Sequence, residues 1–300
     1  MPGVAARPIG ASGETLPAVG LGSWITFNVG NDRAARAACA DVVRAFFEAG
    51  GRMIDSSPMY GSAQAVIGEA LARIGPGAPV FAADKVWISS GARGPEQIEE
   101  SRRLWKLPRF DLLQVHNLLG WEAHLPTLFA MRAAGRLRYV GITTSEGRRH
   151  REIEAIMRSQ PIDFVQISYN LLDREVEERI LPLARERGIA VIVNRPFREG
   201  ALLRSLPLAG IPLLLVGPAS FRSERLRRDF HALTAMSGVQ WVGGVPREQV
   251  ASYLRAIDVG VTPYADTAFN RRSYPLKTVE YLAAGVPVVS STAPPLEDFD

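Results

Sequence analysis

Met53-Ile54-Asp55-Ser56-Ser57-Pro58-Met59-Tyr60-Gly61 is the stretch from which the fold can be read. Two apolar residues run into a carboxylate, a loop of small residues and proline follows, and Ala63 to Arg73 then carries helical periodicity. A short apolar run, a loop and an amphipathic helix make one strand-helix unit. The same unit repeats on both sides. The apolar runs are Val19-Gly20-Leu21-Gly22, Val80-Phe81-Ala82, Leu112-Leu113-Gln114-Val115, Tyr139-Val140-Gly141-Ile142, Phe164-Val165-Gln166-Ile167 and Ala190-Val191-Ile192-Val193. Helix-like stretches such as Arg33 to Ala49 and Glu96 to Trp105 separate them, and Gly50-Gly51, Gly135 and Gly188 supply the glycine that commonly follows a helix. Seven such runs predict buried parallel strands arranged as a barrel rather than an open sheet. Arg7 to Pro17, with Gly10 and Gly13 in its middle, reads as a hairpin closing the barrel floor.

Bulk properties narrow the classes. At 300 residues, with 47% hydrophobic and 22% charged residues, the chain can bury a sizeable core without covalent staples. Its single cysteine, Cys39, excludes an internal disulfide and a cysteine-based metal cluster, and no metal site is expected. Met1 to Leu21 lacks the apolar centre of a signal peptide, and no apolar run approaches the roughly 18 residues of a membrane span. A cytoplasmic location is therefore expected. The formal charge is +4, and the basic residues alternate with glutamates, as in Arg185-Glu186-Arg187, which describes solvated helix faces rather than a nucleic-acid surface. Only Lys85, Lys106 and Lys277 are lysines, so each is a candidate for chemistry that arginine cannot perform.

Three strand ends carry that chemistry. Asp55 closes one strand with Tyr60 in the loop behind it, Lys85 closes the next in Ala83-Asp84-Lys85-Val86, and His116 closes the third in Gln114-Val115-His116-Asn117. The carboxyl ends of barrel strands share one face, so these residues converge there. This order and placement resemble the aldo-keto reductase family over about residues 7–204. The resemblance implies that Tyr60 is the proton donor to a carbonyl, Lys85 the cation that lowers its pKa, Asp55 the anchor of that cation, and His116 the group that orients the substrate oxygen. It also implies NADP(H) as hydride donor and a small-molecule aldehyde or ketone as substrate. Thr143, Thr144 and Gln166 occupy the places where the family grips the nicotinamide, and Arg195 stands where the family commonly stacks an aromatic ring on it. The family's loop and helix for the adenosine phosphates, after strand eight, has no counterpart in this sequence.

From about residue 211 the chain resembles the C-terminal half of a GT-B glycosyltransferase of the group 1, family 4 type. That resemblance rests on Leu215-Val216-Gly217-Pro218, Val242-Gly243-Gly244-Val245-Pro246, Ala256 to Pro263, and Pro275 to Val289. It implies a Rossmann-like segment, a nucleotide-sugar ligand and a ribose contact at Glu280; the family's preceding glutamate falls at Arg272. The strand-helix rhythm continues through helix 223–235, strand 239–242, helix 247–257, strand 259–261, helix 276–284 and strand 286–289.

The expected architecture is α/β: a TIM-type (β/α)8-like barrel truncated after strand seven, residues 1–204, then a partial Rossmann-like glycosyltransferase segment, 205–300. Two arrangements of the junction remain. Leu213 to Val216 can close the barrel as an eighth strand, with Arg222 or Arg225 meeting a phosphate at the following helix. Alternatively Ala190 to Val193 leaves the barrel for the second sheet. The first is favoured, because the second leaves the barrel with bare edges. The functional expectation is NADP(H)-dependent carbonyl reduction; the alternatives are nucleotide-sugar binding or glycosyl transfer by the C-terminal segment, or an inert fusion.

Overall fold

The structure is a computed structural model, and it describes residues 5–145, 147–170, 172–196, 212–221, 223–262, 281, 286 and 288–290. The chain divides into two units, one of residues 1–169 and 173–196, the other of 170–172 and 197–300.

The first unit opens with the antiparallel hairpin β1 (Ala6–Pro8) and β2 (Thr15–Pro17). Seven parallel strands follow: β3 (Leu21–Gly22), β4 (Met53–Asp55), β5 (Phe81–Val86), β6 (Phe110–His116), β7 (Leu137–Thr143), β8 (Phe164–Ser168) and β9 (Ala190–Asn194). Each pairs with the next in sequence, and a helix crosses between every pair. These helices are α1 (Arg33–Glu48), α2 (Ala63–Ile74), α3 (Gly94–Trp105), α4 (Trp121–Ala133), α5 (His150–Ser159) and α6 (Ile180–Arg187). Local chemistry sets their ends: Asp32 caps α1 by accepting from the Ala34 and Ala35 amides, and Gly188 ends α6 in the left-handed region at φ 64°. This is the expected barrel-type unit ending at strand seven.

Strand alternation sorts the side chains into two cores. Ile54, Ala82, Leu113, Val115, Val140, Ile142, Val165 and Ile167 point outward and pack under the helices. Met53, Phe81, Ala83, Leu112 and Phe164 point inward and meet Ile9 and Leu16 of the hairpin. Phe81, Tyr139 and Phe164 form an inward aromatic cluster with centroids 5.5–6.2 Å apart. The hairpin plugs the floor as expected. Glu14 accepts from the Arg138 guanidinium and from Tyr139 Oη at 2.6 Å, and Arg138 reaches Asp111 at 2.7 Å.

β3 and β9 end the sheet and are not paired with each other. Both arrangements expected at the junction are corrected. Leu213 to Val216 is not strand eight: β10 (Leu213–Leu215) pairs in parallel with β11 (Val239–Trp241), Leu213 opposite Val239. Helix α7 (Glu224–Thr234), capped by Ser223, supplies their crossover, so the strand finds its partner within its own local βαβ unit. Nor does Ala190 to Val193 leave the barrel, since β9 pairs with β8 from Phe164↔Ala190 to Ser168↔Asn194. Arg222 lies outside the described residues, and Arg225 pairs with Asp229 on its own helix at 3.8 Å.

The second unit continues with α8 (Arg247–Arg255) and the parallel pair β12 (Gly260–Thr262) and β13 (Val288–Ser290). Phe230 of α7 packs edge-on against Trp241 at 5.0 Å, and Trp241 Nε1 donates to the Gly217 carbonyl. Of the expected helix 276–284 only Tyr281 is among the described residues, and it is helical. Among the described residues no helix is long and apolar enough to cross a membrane.

Gly10 tests the floor. Its φ is +47°, and a Cβ there would stand 2.0 Å from the Gly188 carbonyl oxygen. Gly10→Ala should cost about 1–3 kcal/mol, as expected of a forced left-handed residue with a steric clash, read as a lower midpoint in urea unfolding.

Candidate active site

The carboxyl ends of β4, β5 and β6 bring Asp55, Lys85 and His116 to one mouth, and the loop after β4 adds Tyr60. Lys85 is 1% exposed. Its Nζ donates to Asp55 Oδ2 at 2.6 Å and to the Ser56 carbonyl at 2.7 Å. It also stands 5.3 Å from the centre of the Tyr60 ring. The Tyr60 and His116 rings meet edge to face, 5.9 Å apart. All four line one cleft of about 1200 Å³, with β3 on one wall and β9 on the other.

The electrostatics follow from burial. Burial works against the Lys85 charge, but Asp55 and the Tyr60 oxygen outweigh it and hold its pKa above the ordinary lysine value. Burial raises the Tyr60 pKa, and the Lys85 charge pulls it back only in part. The lowering expected from lysine is present, yet desolvation exceeds it. His116 falls to about 3 through burial and then the Lys85 charge, so its ring is neutral across the physiological range.

Thr143 and Gln166 line the cleft with the four, as does Arg195, whose φ is +54°. Thr144 is buried but is not among the lining residues; its carbonyl accepts from Asn194 Nδ2 at 3.2 Å. Glu280 lies outside the described residues. Among the described residues no group of three or more His, Cys, Asp or Glu side chains is arranged to hold a metal ion.

Three further polar side chains support the cluster. Gln114 Nε2 lies 3.4 Å from Asp55 Oδ1 and 3.3 Å from Gln166 Oε1, and Gln166 Nε2 lies 3.3 Å from Asp55 Oδ2. Gln114 was legible as the one polar residue in an apolar run, two residues before His116 and so on the same face. Ser57 Oγ lies 2.7 Å from His116 Nδ1, a contact no local pattern announces. Asp84 alternates with Lys85 and points outward, where it accepts from the Lys85 amide at 2.7 Å and Gln64 Nε2 at 2.8 Å.

A nicotinamide fits this arrangement at its reactive end. The polar side chains Thr143 and Gln166 face the cleft beside the Lys85–Asp55 pair.

Burial pushes the Asp84 carboxyl up to about 7. A folded-state pKa above the unfolded value gives stability that is present at low pH and lost as pH rises through about 7. Asp84→Asn should therefore gain stability relative to the native chain between pH 5 and pH 8, as measured by urea unfolding at both.

Comparison with known proteins matches residues 18–206 to the model described as the Aldo/keto reductase family, and residues 199–298 to that described as Glycosyl transferases group 1. The chain is similar to the NADH-specific methylglyoxal reductase of Escherichia coli K12, 26% identical over 239 residues, covering 68% of this chain and 71% of the relative. It is also 26% identical to the aldo-keto reductase YhdN of Bacillus subtilis 168 over 212 residues, covering 65% of this chain and 62% of that one. Over 81 residues it is 36% identical to the putative teichuronic acid biosynthesis glycosyltransferase TuaH of Bacillus subtilis, covering 27% of this chain and 20% of that one. A crystal structure of an aldo-keto reductase from Klebsiella pneumoniae in complex with NADPH shares the fold, with a TM-score of 0.56 at 18% identity, covering 84% of this chain and 95% of that one.

Proposed function

The chain belongs to the aldo/keto reductase family, and from that premise we propose that it reduces an aldehyde or ketone with NADP(H) in the cytoplasm, or runs the reverse oxidation. The observation that carries the proposal is the buried Lys85–Asp55 pair, at 2.6 Å, set beside Tyr60 and a neutral His116.

The dinucleotide, when bound, supplies the hydride. The residues of the chain do the rest. His116 donates a hydrogen bond to the carbonyl oxygen and fixes its approach. Tyr60 gives its phenolic proton to that oxygen as negative charge develops there. Lys85 stabilises the resulting phenolate, and Asp55 keeps the ammonium charged and in place. Thr143 and Gln166, which line the cleft, hold the nicotinamide end, and Arg195 lines the same cleft; buried Thr144 acts from behind them through its carbonyl's contact with Asn194. The choice of NADP(H) over NAD(H) rests on the family resemblance; the E. coli relative is named NADH-specific, whereas the Klebsiella structure holds NADPH.

A second reading attaches to the C-terminal unit. The Gly217 amide donates to the Gly243 carbonyl at 2.8 Å, so two glycine-containing turns meet at the carboxyl ends of β10 and β11. That is where open α/β sheets bind nucleotides. This reading takes Glu280 as a ribose contact for a nucleotide-sugar.

Fluorescence titration with NADPH and with NADH tests the first reading. NADPH should bind more tightly, and Tyr60→Phe should bind it equally while losing roughly 10²-fold or more in kcat on a carbonyl substrate. No binding of either dinucleotide up to millimolar concentration overturns it. Titration with uridine and guanosine diphosphates tests the second, which stands only if one of them binds and Glu280→Ala weakens it.

A further inference from the structure

Ser57 is fully buried in the loop behind β4, and its hydroxyl meets His116 across 59 positions of sequence at 2.7 Å. The His116 ring is neutral, so it carries one proton on either Nδ1 or Nε2. The difference matters. With the proton on Nε2, that nitrogen is a donor; with the proton on Nδ1, Nε2 can only accept and repels a carbonyl oxygen.

The hydrogen bonds of Ser57 distinguish the two. Its Oγ takes the Met59 amide as a donor at 3.4 Å, so one lone pair already faces the loop. Among the described residues His116 Nδ1 is the one acceptor within reach of the hydroxyl proton. Were Nδ1 protonated, the fully buried Ser57 proton would have no partner, a costly arrangement. We propose that Ser57 is a positioning residue that holds His116 in the Nε2–H tautomer and thereby makes the ring a hydrogen-bond donor toward a carbonyl oxygen. The second half of this statement rests on the carbonyl-reduction reading; the tautomer itself does not.

His124 provides an internal reference. Its Nε2 lies 2.7 Å from the Ile88 carbonyl, which only accepts, so His124 is an Nε2–H ring. The experiment is a two-bond proton–nitrogen correlation of the histidine rings in the full-length, nitrogen-15-labelled protein at pH 7, with His116 assigned by its loss in His116→Gln. His116 should show the same pattern as His124. In Ser57→Ala its two nitrogen shifts should move toward each other as the tautomers mix, and Ser57→Thr, which keeps the hydroxyl, should restore them. kcat/KM for a carbonyl substrate should fall roughly 3- to 10-fold in Ser57→Ala, the loss of one hydrogen bond's preference, with NADPH affinity unchanged. An Nδ1–H pattern in the native chain overturns the proposal without recourse to a Ser57 variant. So does a Ser57→Ala spectrum with an unchanged His116 tautomer. A tautomer that follows Ser57 in a protein that turns over no carbonyl upholds the assignment of Ser57 and overturns the reductase reading instead.

Discussion

Lys85 carries an ammonium group into a place that is almost dry. Stripping water from such a charge costs several kcal/mol even after relaxation, and only close, well-aligned partners offset it. Asp55 and the Ser56 carbonyl are those partners, at 2.6 and 2.7 Å, and both come from the end of the neighbouring strand. The register that places Asp55 opposite Ala83 sets Lys85 one inward step higher, within reach of the carboxylate. Gln114 and Gln166 then close around the same carboxylate from two further strands. A shift of one residue in any one of these pairings would turn that strand's member of the set out of the interior.

Burial sets the protonation of Tyr60 and His116, and one charge modulates the two in opposite senses. The Lys85 cation opposes the burial that raises the Tyr60 pKa and adds to the burial that lowers His116. Tyr60 thus keeps its proton, while the imidazole stays uncharged beside the ammonium. Asp84, on the same strand, faces away from the mouth and is the group whose titration belongs to the scaffold rather than to the site.

The convergence of Asp55, Lys85 and His116 could be read from sequence because each stands at or near a strand end, and strand ends of a barrel share a face. Gln114 was visible in the run it interrupts, but its partners lie on β4 and β8, and no local pattern names them. The Ser57 contact with His116 depends on how a loop folds over a strand end 59 residues away, which is a tertiary fact. Leu213-Leu214-Leu215 has the composition of a barrel strand, and composition is blind to partner: the stretch contains nothing to separate β3 from β11 as its neighbour. The hairpin, by contrast, was legible, because Gly10 and Gly13 mark its turn and Ile9 and Leu16 have one apolar floor to cover.

The pairing of every barrel strand with its successor has a consequence for how the chain is made. Each strand from β4 to β9 meets its partner one unit earlier in the chain, so the first unit can grow by accretion as it leaves the ribosome. The contact that would require the chain to return on itself, first strand to last, is missing from the sheet. Closing that ring would carry an entropic penalty that rises with loop length, and its absence keeps the contact order of the sheet low. Assembly in this manner adds each strand to an edge made by the one before it, so the sheet waits on no contact between its distant ends.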